Sequence, residues 1–201
     1  MPSQDQRTAV RYFNPKSGCP GFIIEMISGI KDEVYDQMLM SKLKSLNLRQ
    51  KAISRIGLDE DELKEIPPIF LHGFRYGDGA LARTGKDGRY RSSKYDVAWL
   101  FFSSTQVYMY SYTFDMLTDS KREETDEYFY KDILSFTSVS ETMDVPGPIG
   151  CTGTPGPNTM SEYNMFQLST AAGKFRCSIS GVADADRSIS AMKQKLREKK
   201  G

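Results

Sequence analysis

His72 is the one histidine of the chain, and it is accompanied by three cysteines, Cys19, Cys151 and Cys177. A single imidazole excludes a histidine-rich metal site, and no Cys-x-x-Cys pair supplies zinc-ligand spacing. A thiol–imidazole pair would need His72 to meet one of these cysteines through the fold, since no local signature joins them. Cys177 falls at an inward position of a strand pattern, the place of a core thiol, whereas Cys151 lies in a Pro/Gly-rich stretch and is the more accessible nucleophile candidate. Carboxylates are plentiful. Those of residues 59–65 are accounted for by helix capping and those of residues 123–127 by a solvated connection, and neither group has a partner for acid–base work. The glycines of residues 147–156 are interleaved with prolines, which remove amide donors, and no Gly-Lys-Ser/Thr follows to complete a phosphate loop. The sequence predicts no catalytic centre, no metal and no cofactor.

Two clusters have residue types suited to binding. Arg83, Lys86, Arg89, Arg91 and Lys94 crowd one predicted hairpin with Asp87 as the opposing charge, and guanidinium and ammonium donors on a turn can hold a phosphate, a lipid headgroup or an acidic peptide. The same charges also serve a solvated hairpin that resists edge pairing. Tyr108, Tyr110 and Tyr112 alternate along a strand. They form either a recognition face, since tyrosine joins apolar area to a polar tip, or the surface on which the preceding helices pack; the second reading is favoured because those helices need a surface to cover. The basic end of residues 193–200 complements the negative pole of a C-terminal helix.

The whole chain sets broad bounds. It has 201 residues and a formal charge of +1, enough for one core with an appendage and too nearly neutral to create a global field for nucleic acid or membrane. Its longest apolar runs fall well short of the roughly 20 residues that cross a bilayer. The start lacks the grammar of a secretory signal, and an odd cysteine count suits a reducing compartment, so the expected location is cytoplasmic.

These residues must be positioned by three regions. Breakers throughout residues 1–28 predict an irregular leader. Residues 29–66 read as helical. Ile30, Val34, Met38 and Leu39 recur at helical spacing, Asn47 is placed to cap a second helix ended by Gly57, and Asp59 to Glu62 open a third that Pro67-Pro68 stops. From Ile69 the period changes to two. A central hairpin joins residues 95–102 to 107–114 across Ser103-Ser104-Thr105-Gln106, a charged exposed connection spans 117–127, and a loop rich in proline and glycine covers 145–157. A further hairpin follows with Phe166, Leu168, Phe175, Cys177 and Ile179 inward. Last comes a helix capped by Asp184 with Ile189, Met192 and Leu196 on one stripe.

The runs Leu100-Phe101-Phe102-Ser103-Ser104-Thr105-Gln106-Val107-Tyr108-Met109-Tyr110 and Glu127-Tyr128-Phe129-Tyr130-Lys131-Asp132-Ile133-Leu134-Ser135-Phe136, with the later hairpin and terminal helix, resemble bacterial pleckstrin-homology-like and GRAM-type domains over residues 69–200. The resemblance implies an α+β fold: an antiparallel pleckstrin-homology-like β-barrel or sandwich with a C-terminal capping helix, here preceded by the helical segment. It implies a non-enzymatic binding or scaffolding module and carries over no functional residue. The expected partner is a protein. An anionic lipid headgroup or nucleic acid at the basic hairpin is the first alternative, and a thiol-dependent enzyme using Cys151 the second.

Overall fold

The computed structural model of the protein describes residues 1–13, 30–58, 67–145 and 159–200. Helix α1 (Gln4–Phe13) replaces part of the expected irregular leader. Ser3 Oγ accepts the Gln6 N–H at 3.1 Å while Gln6 Oε1 accepts the Ser3 N–H at 2.6 Å. This reciprocal capping box satisfies two otherwise orphaned donors. Helices α2 (Asp32–Ser45) and α3 (Leu48–Ile56) follow. Gly57 ends α3 in the left-handed region with φ 75°, as expected. Asn47 precedes α3 but makes no side-chain cap bond. Its backbone is itself left-handed (φ 46°), a conformation asparagine tolerates, so the residue shapes the α2–α3 turn instead. The predicted third helix, most of the Pro/Gly loop, Cys19 and Cys151 lie outside the described residues.

The strands form two main antiparallel sheets and one small hairpin. The first sheet has the order β1 (Ile69–Arg75), β4 (Lys94–Phe102), β5 (Gln106–Asp115), β6 (Lys121–Phe129). Strands β2 (Ala82–Thr84) and β3 (Tyr90–Ser92) make the hairpin inserted between β1 and β4. The second sheet is β7 (Ile133–Val145), β8 (Thr159–Thr170) and β9 (Lys174–Ser178). A 3-10 turn, Tyr130–Asp132, joins β6 to β7, and α4 (Ala185–Lys200) closes the chain. The expected exposed connection between β5 and the next apolar run is largely strand β6, pairing Val107 with Tyr128 through Thr113 with Arg122. Its charges suit a sheet edge, where they discourage further pairing.

Strand β4 is apolar on both faces because it separates two cores. Tyr95, Val97 and Phe101 face α1–α3, whereas Ala98, Leu100 and Phe102 face the second sheet and α4. On the helical side, Tyr12 stacks on Tyr35 with ring centroids 4.5 Å apart. On the other side, Phe136, Phe166, Leu168, Cys177 and Ile179 meet the α4 stripe of Ile189, Met192 and Leu196. The expected inward positions therefore hold; Phe175 alone is only partly buried.

Among the described residues the sheets do not close into a barrel. They meet where the Gly181 N–H donates to the His72 carbonyl at 3.0 Å and the Phe74 N–H donates to Ser180 Oγ at 2.9 Å. Close approach requires glycine on both sides: a Cβ on Gly73 would lie 2.6 Å from the Ser180 nitrogen, and one on Gly181 would lie 2.4 Å from His72 Nδ1. The architecture is α+β, an open sandwich covered by helices at its N-terminal and C-terminal ends in sequence.

Candidate functional site

The long β7–β8 hairpin changes character along its inward face. Phe136 opposes Leu168 within the core, the exposed Ser138 opposes the buried Phe166, and one step further Ser140 opposes Asn164. Beyond the apolar filling, this polar continuation becomes one wall of a groove of about 740 Å³. Phe74 and Tyr76 at the end of β1, with Arg89 and Tyr90 at the start of β3, form the opposite wall. The turn from Ile179 into the first residues of α4, ending with Arg187, forms its rim.

Several groove residues are held in place. The Tyr76 hydroxyl donates to the Tyr90 carbonyl at 3.0 Å, and burial pushes its pKa up. The Tyr163 hydroxyl donates to Glu141 at 3.0 Å, and its ring packs 5.4 Å from that of Tyr76. Ser140 donates to Glu162. The side chains of Arg89, Asn164 and Arg187 have no hydrogen-bond or ion-pair partner among the described residues, which leaves donors and acceptors of both kinds facing a cavity of ligand size.

The basic hairpin is dismantled by its own contacts. Arg91 is buried, not exposed: Nε and Nη2 donate to both oxygens of Asp36 at 2.8 Å, and Nη1 and Nη2 donate to Asp87 at 2.9 Å. These pairs hold Asp87 well below the usual carboxylate range. Arg83 donates to the Tyr12 carbonyl at 2.7 Å and lies over the Tyr12 ring. Lys94 donates to the Asp78 carbonyl. Lys86 and Arg89 are exposed, and of the five only Arg89 lines the groove. Of the five cations, Arg83 and Arg91 thus fasten the hairpin to α1 and α2, Lys94 meets the turn at Asp78, and Lys86 and Arg89 stay exposed, as on a solvated hairpin.

The chain matches no family model, no curated protein and no solved structure. Its candidate site thus rests on the geometry alone.

The tyrosine stripe faces inward. Tyr110 and Tyr112 are buried against the helical layer and Tyr108 is half-buried beside it. The Tyr110 hydroxyl donates to Glu123 at 2.8 Å, and Lys51 sits over the Tyr112 ring. This is the covered-surface reading for Tyr110 and Tyr112, while Tyr108 keeps part of its surface exposed.

Thiol chemistry finds no support at the described cysteine. Cys177 is buried, which raises its pKa and disfavours the thiolate. His72 Nδ1 pairs with the Tyr95 hydroxyl at 2.7 Å, and burial lowers its pKa. The groove residues Ser138, Ser140, Asn164 and Arg187 were not singled out from sequence. The alternation of β7 was the available signal, since the inward series Phe136, Ser138, Ser140 changes from apolar to polar before the strand ends.

Proposed function

We propose that the protein is a non-enzymatic interaction module of pleckstrin-homology-like organisation that receives a segment of a partner protein in the groove between the β7–β8 hairpin and the β1–β3 wall. The observation that carries this reading is the groove's make-up. Tyrosine, serine, asparagine and arginine converge there from separate elements, the residue types that combine rigid aromatic area with adaptable hydrogen bonding in recognition surfaces. Arg89 and Arg187 are balanced by Asp184, Asp186 and Glu162, so the surface suits a mixed polypeptide better than a polyanion. The succession of a four-stranded meander, a three-stranded meander and a terminal helix supports the family-level likeness, although the sheets remain open. No helix among the described residues is long and apolar enough to cross a membrane. A cytoplasmic setting fits the three cysteines and the free, buried thiol of Cys177.

The test is selection of a random peptide library on the immobilised full chain. Enriched sequences should bind the wild type and lose at least tenfold in affinity to Asn164→Trp, which fills the groove. Ser104→Trp, in the exposed β4–β5 turn, should leave affinity unchanged. Selection that yields only peptides indifferent to Asn164→Trp would remove the groove from the account.

A further inference from the structure

A second recess lies where the open sandwich leaves its sheets apart. Between β9 and the inner face of β5 and β6 there is a cleft of about 270 Å³. Arg75 of β1, Arg122 of β6, and Lys174 and Arg176 of β9 line it, together with the carboxylates of Asp96 and Glu124. With the ion-pair partners Asp78 and Glu141 counted, the four cations meet four carboxylates, so what the cleft offers an anion is the Lys174 ammonium and spare guanidinium donors, not net charge. Ser111 and Thr113 add hydroxyl groups on the β5 wall.

The guanidinium groups are anchored without being exhausted. Arg75 Nη2 donates to Asp78 at 2.6 Å, and its Nη1 faces Asp96 at 3.5 Å. Arg176 Nε donates to Gln167 Oε1 at 2.9 Å, and its Nη1 donates to Glu141 at 2.8 Å. Arg122 Nη2 donates to Glu124 at 2.6 Å. Each guanidinium has five N–H groups, so Arg122 and Arg176 retain donors unpaired among the described residues. The Lys174 ammonium has no partner among those residues. Fixed cations with spare donors are suited to a multivalent oxyanion, which accepts several charge-assisted hydrogen bonds at once. Asp96 is part of this balance of charge. It is buried, accepts from the Thr113 hydroxyl at 2.8 Å, and burial raises its pKa against the opposing effect of Arg75.

We infer that this inter-sheet cleft is a binding site for a compact, soluble multivalent oxyanion of the phosphate or diphosphate class, held by Arg122, Lys174 and Arg176. Arg122, Lys174 and Arg176 are themselves exposed, and it is the small volume of the cleft between the sheets that favours a small ion over the flat surface of a bilayer. The inference is independent of the peptide groove, whose walls are formed by other residues.

Titration calorimetry of the full chain with inorganic pyrophosphate at low ionic strength tests it. Saturable binding is expected, weakening as sodium chloride rises because the attraction is electrostatic. Lys174→Glu and Arg122→Glu, each made separately and checked for a native melting curve, should each weaken binding at least tenfold. Lys174→Arg should retain it, and Arg89→Glu, outside the cleft, should leave it unchanged. Absence of saturable binding by the wild type would overturn the proposal, as would charge-reversal variants that bind like the wild type. Co-sedimentation with phosphatidylserine vesicles under conditions where pyrophosphate gives no heat would overturn the soluble-ion assignment and direct it to a lipid surface.

Discussion

Arg91 holds its charge with 3% of its side chain exposed because Asp36 of α2 and Asp87 of the β2–β3 turn surround the guanidinium. Gly85 makes room for it: a Cβ there would lie 2.3 Å from Arg91 Nη1. Removing one partner of a fully buried ion pair costs about 3–5 kcal/mol. The two aspartates are 36% and 42% exposed and can recover water, so Arg91→Ala should cost less, about 2–3 kcal/mol by this argument. Urea unfolding measures that loss, and amide exchange should accelerate in α2. A change below about 0.5 kcal/mol, the ordinary range for surface substitutions, would show that the ion pairs do not fasten the hairpin. The sequence displayed Arg91 as one cation among five. Its burial depends on Asp36, which is remote in the chain, and local spacing cannot reveal that.

Between elements, the decisive contact is the seam joining β1 to the segment after β9. Gly73 and Gly181 admit the opposing atoms, and a methyl group at Gly73 must displace the backbone at Ser180 as well as two hydroxyls. Gly73→Ala should therefore destabilise by about 1–3 kcal/mol, as overpacking of a tight interior does. Gly173→Ala has nothing within 4 Å of the new atom and should be neutral within about 0.5 kcal/mol. Equal unfolding midpoints for the two variants in a denaturant titration would contradict the seam. Most strands after the double proline were legible because their alternation was visible and their turns were marked by glycine and aspartate. Strand β6 was hidden by charges that protect an edge, and α1 by the breakers that follow it. Yet Ser3 and Gln6 spell a capping box, and Gln6, Ala9 and Phe13 share its buried face; that signal was present and outweighed.

At the scale of the whole molecule, the helical layer covers the aromatic face of the first sheet, the second sheet and α4 cover its other face, and the recesses between these layers are where the proposed recognition would take place. The composition excluded a global electrostatic role, which agrees with grooves of mixed charge. The groove itself was illegible because its walls come from β1, β3, β7, β8 and α4, segments that only the tertiary fold brings together. Amide-resolved NMR of the intact protein with a library-selected peptide tests the central claim most directly. The account predicts shifts centred on Ser138, Ser140, Asn164 and Arg187, with the helical layer and the β4–β5 turn unmoved; a footprint on α1–α3 or on the exposed tip at Lys86, with the groove silent, would contradict it.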